Sequence, residues 1–166
     1  MQFYPPPKDS FNLTTGLPAK SLVWLKGAGQ LGKSMHAAGI AGYVGEATGY
    51  VLQFSNGLVA YLSGDTGITA AQDKVVHGYY KAKLAVMNIG DGFSTGPKEA
   101  AYVINDLVRP NSVIASHANE VGTVGGRVRE GSKTETFIKA VKVPVLGPLS
   151  GRTMEFDSDG NCALGC

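Results

Sequence analysis

Three side chains that can bind metal ions or transfer protons follow predicted strands in this sequence. Asp65, Asp91 and His117 come directly after β-rich runs that begin at residues 58, 84 and 112. Carboxylate oxygen and imidazole nitrogen are ligands for hard and borderline metal ions. Asp65 and His117 are therefore candidate ligands of one ion, and His36 is a candidate third ligand.

Each of these residues also has a purely structural interpretation. An Asp after a strand is often a helix cap or a turn residue, and a His is often a satisfied surface or core residue. Asp91 could be a ligand, an acceptor that orients a ligand His, or a turn residue. We expect His77 to face solvent, because it lies in a predicted helix.

The elements that must position these residues alternate between strand and helix. Asn56-Gly57 between two β-rich runs predicts a hairpin, because both residues tolerate positive φ. From Tyr50 onward the predicted order is β-β-α-β-α-β-α-β-β, with helices over 69–81, 97–108 and 134–141. Strands joined through helices favour parallel pairing in an α/β sheet. In such sheets the site lies beyond the carboxyl ends of the strands, where Asp65, Asp91 and His117 fall.

Composition narrows the class of protein. The 166 residues and 43% hydrophobic content fit one domain with a sizeable core. A net charge of +2 with scattered Lys and Arg gives no argument for nucleic acid, and no apolar run is long enough to span a membrane. We expect residues 1–20 to be irregular because of their prolines, and residues 157–166 to form a C-terminal tail.

The N-terminal residues and the two cysteines bear on the cellular location of the protein. Residues 1–20 hold no apolar core of a signal peptide, so a cytoplasmic location is the default. Cys162 and Cys166 could be free thiols or a short disulfide, and a disulfide would fit a periplasmic or secreted protein.

Three motifs together resemble one known family. They are the stretch from Gly49 to Gly67 ending in Ser-Gly-Asp-Thr-Gly, Asn88-Ile-Gly-Asp91 followed by Thr95-Gly-Pro-Lys-Glu-Ala-Ala101, and Ser116-His-Ala-Asn-Glu120. In this order and spacing they resemble the C-terminal half of metallo-β-lactamase-fold metal-dependent hydrolases, over roughly residue 21 to the C-terminus. The resemblance implies a single metallo-β-lactamase-like domain over 1–166. Its fold would be half of an αββα sandwich, a mixed sheet with helices on one face.

The resemblance also implies roles for the candidate residues. Asp65 matches the Asp that bridges two metal ions, His117 matches the last metal-binding His, and Asp91 matches a loop acid with a supporting role. His36 is the nearest counterpart of the ligand His before the hairpin, although counting back along the chain puts that position nearer Gly39. The implied cofactor is zinc, with manganese or iron as alternatives, as one or two ions in an assembled site or none.

One departure from the family pattern bears on activity. The family's His-x-His-x-Asp-His motif does not occur in this sequence, whose only histidines are His36, His77 and His117. A half sandwich would also expose an apolar sheet face, so we expect a homodimer or higher oligomer through that face. The monomer would then be incomplete.

Two functions follow from these observations. The first is a metal-dependent hydrolase whose metal-activated water attacks an ester, lactone or amide-type bond of a small-molecule substrate. The alternative is a non-catalytic truncated remnant or binding module that retains the fold. The glycine-rich loop 119–132 is the candidate substrate loop, with Arg127 and Arg129 as candidate anion contacts.

Overall fold

A computed structural model describes residues 2–3, 48–91, 94–148 and 151–166. His36 and the rest of residues 4–47 lie outside the described residues, so predictions for them are not addressed by the structure. Gln2–Phe3 form a strand that pairs with the first strand of the hairpin, whereas irregular structure was predicted for residues 1–20. The pair precedes the proline run at 5–7, so its backbone N–H groups remain able to join a sheet.

The described residues form a core sheet of six strands, which are β1 Gln2–Phe3, β2 Tyr50–Gln53, β3 Val59–Leu62, β4 Leu84–Asn88, β5 Ser112–Ser116 and β8 Val145–Leu146. Their order in the sheet is β1-β2-β3-β4-β5-β8, and β6 Thr123–Val124 and β7 Arg127–Val128 form a separate hairpin. The first three strands pair antiparallel, and β3, β4, β5 and β8 run parallel. This is the mixed α/β sheet that the sequence predicts.

The β2–β3 hairpin forms where the Asn56-Gly57 pair predicts it. Phe54 donates its N–H to the Leu58 carbonyl at 2.8 Å, and Gly57 donates to the Phe54 carbonyl at 3.0 Å. Only Gly57 takes positive φ, at 91°, while Asn56 uses its side chain to accept the Leu58 N–H at 3.1 Å. The loop is thus a three-residue turn closed by glycine, and not the two-residue turn with two positive φ angles.

Three helices cover one face of the sheet and close the parallel crossovers. They are α1 Gln72–Tyr79, α2 Pro97–Tyr102 with its continuation Val103–Val108, and α3 Lys133–Ala140. α1 and the second part of α2 have π-helical hydrogen bonding, which occurs mostly as short insertions in α-helices. Alternate strand residues such as Tyr61, Ala85 and Val113 pack with Val76, Ile104 and Phe137 of the helices in one buried core.

The helix ends follow the signals in the sequence, with one difference at the start of α1. Gln72 accepts the Thr69 N–H at 2.9 Å, as in a capping box, but the buried Thr69 hydroxyl has no partner among the described residues. α2 ends at Arg109, which has a left-handed φ of 51° and precedes Pro110.

His77 is half-buried, with Nδ1 2.9 Å from the Val108 carbonyl, so the prediction that it faces solvent was wrong. Packing of α1 beside α2 turned it toward the last carbonyls of that helix.

Two segments predicted to lack strands form small hairpins. The loop 119–132 contains β6 Thr123–Val124 and β7 Arg127–Val128, joined by two glycines with positive φ. The predicted tail contains β10 Cys162–Leu164, which pairs with β9 Glu155–Phe156, and a Cys162–Cys166 disulfide. Short strands of two or three residues carry too little periodicity to be recognised in a sequence.

The C-terminal hairpin covers part of the sheet face that the helices leave open. Phe156 packs beside Leu58, Ala60 and Leu84 on that face. Ser112 donates its hydroxyl to the carbonyl of Gly160 in the hairpin turn.

No helix within the described residues is long and apolar enough to cross a bilayer.

Candidate functional site

Asp65 and His117 meet at the carboxyl end of the sheet. Asp65 follows β3 and His117 follows β5, and the two flank the end of β4. The His117 Nδ1 lies 2.5 Å from the Asp65 Oδ1, and both side chains are partly exposed, at 44% and 60%. Because a carboxylate only accepts hydrogen bonds, Nδ1 carries the proton in this contact. The structure thus joins two of the three described residues that the sequence singled out.

Asn88 holds the backbone on both sides of Asp65. Its side-chain NH₂ donates to the Gly64 carbonyl at 2.5 Å, to the Thr66 carbonyl at 3.2 Å and to the Ser63 hydroxyl at 3.0 Å. Its Oδ1 accepts the Thr95 hydroxyl at 2.5 Å. Asn88 is only 2% exposed, so these bonds satisfy a polar group that would be costly to bury alone. The network fixes the loop that carries Asp65.

Sequence reasoning missed this network. Asn88 is the last residue of an apolar strand, and a polar residue at that position could equally point to solvent. The available signal was the Asn two residues before a Gly-Asp pair, with a Ser-Gly-Asp on the preceding strand. Because parallel strands align their carboxyl ends, these two polar groups are expected to meet.

Left-handed backbone positions surround the pair. Gly64 has φ of 54°, and an added Cβ would collide with the Thr48 carbonyl oxygen. His117 itself has φ of 48° and Asn119 has φ of 55°, a conformation uncommon outside glycine. An added Cβ at Gly90 would collide with the His117 carbonyl. The loops after β3, β4 and β5 are therefore held together closely at this edge of the sheet.

Asp91 occupies a different position from the pair. It follows β4 with φ of 64° and donates its N–H to the Thr95 carbonyl at 3.1 Å. Its carboxyl group lies against Gly96 at the N-terminus of α2. A Cβ added to Gly96 would lie 3.5 Å from the Asp91 Cγ. It does not line the cavity that Asp65 and His117 border. This position suits a residue that stabilises the α2 terminus, while the catalytic supporting role stays a prediction.

A second set of contacts ties the loop after β5 to α3. Lys133 donates its Nζ to the Gly90 carbonyl and its backbone N–H to Glu120. Glu120 also pairs with Arg129 at 3.3 Å. Arg129, a candidate anion contact in the sequence, thus has a carboxylate partner. Arg127 lies exposed on β7.

Two cavities open beside the pair and share Ser116 and His117. Cavity 1 has a volume of about 320 Å³ and lies between the pair and the open sheet face. Cavity 2 has a volume of about 260 Å³ and lies on the other side of His117, toward the β6–β7 hairpin. Pockets of this size at strand ends are common ligand sites.

The donor chemistry fits a borderline metal ion, but the number of donors does not. A catalytic zinc takes three protein ligands and a water. Among the described residues no group of three His, Cys, Asp or Glu side chains is placed to hold an ion. Asp65 and His117 supply two donors, and His36 lies outside the described residues. A site built on this pair needs donors from elsewhere.

Comparisons with known proteins agree with the fold. No model of a protein family matches the chain. A UPF0173 metal-dependent hydrolase of Koribacter versatilis is 31% identical over 120 residues, which is 69% of this chain and 49% of that protein. The crystal structure of an isothiocyanate hydrolase from Delia radicum gut bacteria aligns with a TM-score of 0.53 at 18% identity, covering 84% of this chain and 51% of that one. A metallo-β-lactamase fold protein from Bacillus subtilis aligns at a TM-score of 0.45 with 9% identity, covering 61% of this chain and 42% of that one.

The matched share of the relatives and the shared fold together show how this chain is related to them. It spans 49% of the Koribacter versatilis relative and 38% of a second UPF0173 metal-dependent hydrolase, from Polynucleobacter asymbioticus. Its mixed sheet, with helices on one face and Asp65 and His117 at the strand ends, is the half sandwich that the three motifs predict. The chain is a homologue of the UPF0173 metal-dependent hydrolases and carries one half of a metallo-β-lactamase fold.

Proposed function

We propose that this chain works in metal-dependent hydrolysis, with Asp65 and His117 as its ligands to a metal ion. The observation that carries the proposal is the 2.5 Å contact between the two side chains at the ends of β3 and β5. Two relatives that the chain matches over 49% and 38% of their length are named UPF0173 metal-dependent hydrolases. Zinc is bound by both carboxylate and imidazole ligands in proteins, and manganese or iron are alternatives.

The residues of this chain have distinct tasks in the proposal. Asn88 and Gly64 fix the loop that carries Asp65. The contact with Asp65 holds the His117 Nδ1 beside the carboxylate, where an ion in place of the Nδ1 proton would be bound by both groups. The reaction class is hydrolysis of an ester, lactone or amide-type bond in a small molecule, by a water whose pKa the ion lowers. Asp91 and His36 remain candidates for a supporting acid and a further ligand.

Assembly supplies the missing donors in this proposal. The open sheet face carries Phe54, Ile114 and Phe156, which are half-buried without a covering helix and lie outside the lining of cavity 1. Apolar faces of this kind usually mark interfaces. A second copy across a two-fold axis would cover this part of the face, leave cavity 1 open and bring a second Asp–His pair toward the first. A well-folded monomer in sedimentation at micromolar concentration would contradict this part.

A non-catalytic binding module is the second candidate. It is favoured by the donor count, because the described residues supply two metal donors where a catalytic site needs three. In that case Asp65 and His117 would form a structural ion pair.

One experiment separates the two candidates. Bound zinc, manganese and iron are measured by elemental analysis, and ester and lactone turnover is measured, in the wild type, in Asp65→Ala and in Asp106→Ala. Asp106 is an exposed carboxylate on α2, so it controls for the loss of charge. The hydrolase predicts loss of metal and of chelator-sensitive turnover only in Asp65→Ala. Equal metal content and turnover in all three proteins would rule out the proposed role.

A further inference from the structure

Cavity 1 offers a substrate an apolar wall beside the Asp65–His117 pair. Tyr50, Leu62 and Val86 line it on the sheet side. The buried Ser63 and Asn88 also line it, but their polar atoms are already hydrogen-bonded to each other and to the Gly64 and Thr66 carbonyls. A volume of about 320 Å³ is ample for a phenyl ring, since a dry apolar cavity of about 150 Å³ binds benzene.

No Lys or Arg among the described residues lines either cavity. The formal negative charge bordering cavity 1 is the Asp65 carboxylate. In cavity 2 the Glu120 carboxylate pairs with Arg129 and accepts the backbone N–H of Lys133. The floor of cavity 2 is small and apolar, with Ile89, Ala115 and Ala118. Recognition of phosphate or carboxylate normally uses Arg, Lys or clustered N–H donors, which these linings lack.

Besides His117, Ser116 is the polar residue common to both cavities. It ends β5, is half-buried, and its hydroxyl has no hydrogen-bond partner among the described residues. Its backbone carbonyl accepts the Ile89 N–H at 3.0 Å, so the residue is held in the sheet while the hydroxyl stays available. A free hydroxyl next to His117 can donate to a carbonyl that lies across the ridge between the cavities.

We propose that the two cavities form one cleft for uncharged esters or amides that carry an aryl or short alkyl group, with Ser116 as the positioning donor. The apolar group lies in cavity 1 against Leu62 and Val86, and the small remaining portion lies in cavity 2. The carbonyl between them accepts the Ser116 hydroxyl. This inference rests on the proposed function for the reaction, but it makes a claim about binding that needs no turnover.

The test uses two probes with the same ring. Acetanilide is an uncharged amide, and phenyl phosphate is an anion. Each is titrated into the purified full chain, and backbone amide shifts are followed by NMR. Acetanilide is expected to shift the amides of Leu62, Val86 and Ser116 in a saturable way, while phenyl phosphate gives no saturable shift there. Saturation of the same amides by phenyl phosphate at equal or lower concentration would overturn the proposal.

Variants test the two parts of the cleft separately. Val86→Phe fills cavity 1 and should weaken acetanilide binding at least about tenfold, whereas Val124→Phe adds the same bulk on the exposed hairpin and should leave binding unchanged. Ser116→Ala removes one oxygen and should weaken binding about threefold to tenfold, as expected for one hydrogen bond. Wild-type binding in Val86→Phe or in Ser116→Ala would overturn the part of the proposal that residue carries. Because Ser116→Ala is a minimal change, it tests the proposal whether or not Val86→Phe folds.

Failure here is distinguishable from failure of the proposed function. If Asp65→Ala leaves metal and turnover unchanged but acetanilide still binds at Ser116, the hydrolase assignment falls and the cleft stands. If acetanilide does not bind while Asp65→Ala loses metal and turnover, the cleft falls and the hydrolase assignment stands.

Discussion

Replacing Asn88 with aspartate should release the loop that carries Asp65. The change keeps the shape of the side chain but converts its NH₂ group into an oxygen. The three donated bonds, to Ser63, Gly64 and Thr66, are lost, and two of the abandoned acceptors are carbonyls that flank Asp65. An ionised carboxylate would also face those carbonyl oxygens in a site that is only 2% exposed.

The magnitude follows from the bonds lost. The amide has two N–H donors, one of them shared between two acceptors, and at about 1 kcal/mol each they give about 2 kcal/mol. Burial of the carboxylate beside carbonyl oxygens raises the cost to about 3–5 kcal/mol. A domain of this size has a free energy of unfolding of about 5–15 kcal/mol, so Asn88→Asp should still fold but with much reduced stability. Asn88→Ala loses the same bonds without adding a charge and should cost less.

The assay is urea unfolding at pH 7 and at pH 4, with Asn56→Asp as the matched control. Asn56 uses its side chain only to accept the Leu58 N–H, which a carboxylate also does, so this variant should stay within about 0.5 kcal/mol of wild type. The loss in Asn88→Asp should shrink at the lower pH, because a protonated carboxyl regains one donor. The His117 ring should also change its chemical shifts, since its partner Asp65 is displaced.

Two results would refute the reasoning. If Asn88→Asp and Asn56→Asp lose equal stability, the donated bonds do not hold the loop. If Asn88→Asp is strongly destabilised but the His117 ring is unchanged, then Asn88 stabilises the fold without positioning Asp65.

The remaining predictions concern the backbone and the C-terminal hairpin. Gly64→Ala should cost at least about 2 kcal/mol in urea unfolding, because alanine at φ of 54° is strained and its Cβ meets the Thr48 carbonyl, whereas Gly67→Ala has open space and should cost far less. Reducing the C-terminal disulfide should lower stability by about 2 kcal/mol at most, as its loop is short, and thiol titration before reduction should find no free cysteine. Hydrogen bonds from the backbone of Asn161 hold the pKa of Asp157 below its usual range, so the stability it adds is full above the ordinary Asp pKa and lost as pH falls through the lowered value. Hairpin amide shifts should therefore stay constant from pH 7 to about 5 and change only below about 4.

Glycine and proline residues that restrict the backbone conformation predicted much of the fold. Gly57 marks the hairpin because a turn needs positive φ there, Pro97 marks the start of α2, and Pro110 follows its end. The meeting of Asp65 with His117 was also predictable, because parallel strands bring their carboxyl ends to one edge.

Features that depend on tertiary packing were not visible in the sequence. The polar contacts of Asn88 join residues up to 25 positions apart, and the same sequence pattern permits a solvent-facing side chain. His77 turns toward the α2 terminus only because α1 and α2 pack side by side. The π-helical turns likewise reflect packing, since their spacing of apolar residues resembles that of an ordinary helix.

The central claim is that Asp65 and His117 are this chain's share of a metal site that a second copy of the chain completes. Native mass spectrometry of the protein with zinc present reads metal content and oligomeric mass in the same peak. The proposal predicts zinc in the dimer or a larger assembly, with no specifically bound zinc on the monomer and none in Asp65→Ala or His117→Ala. Zinc retained by either variant, or a stable monomer that carries no metal and forms no assembly, would contradict it.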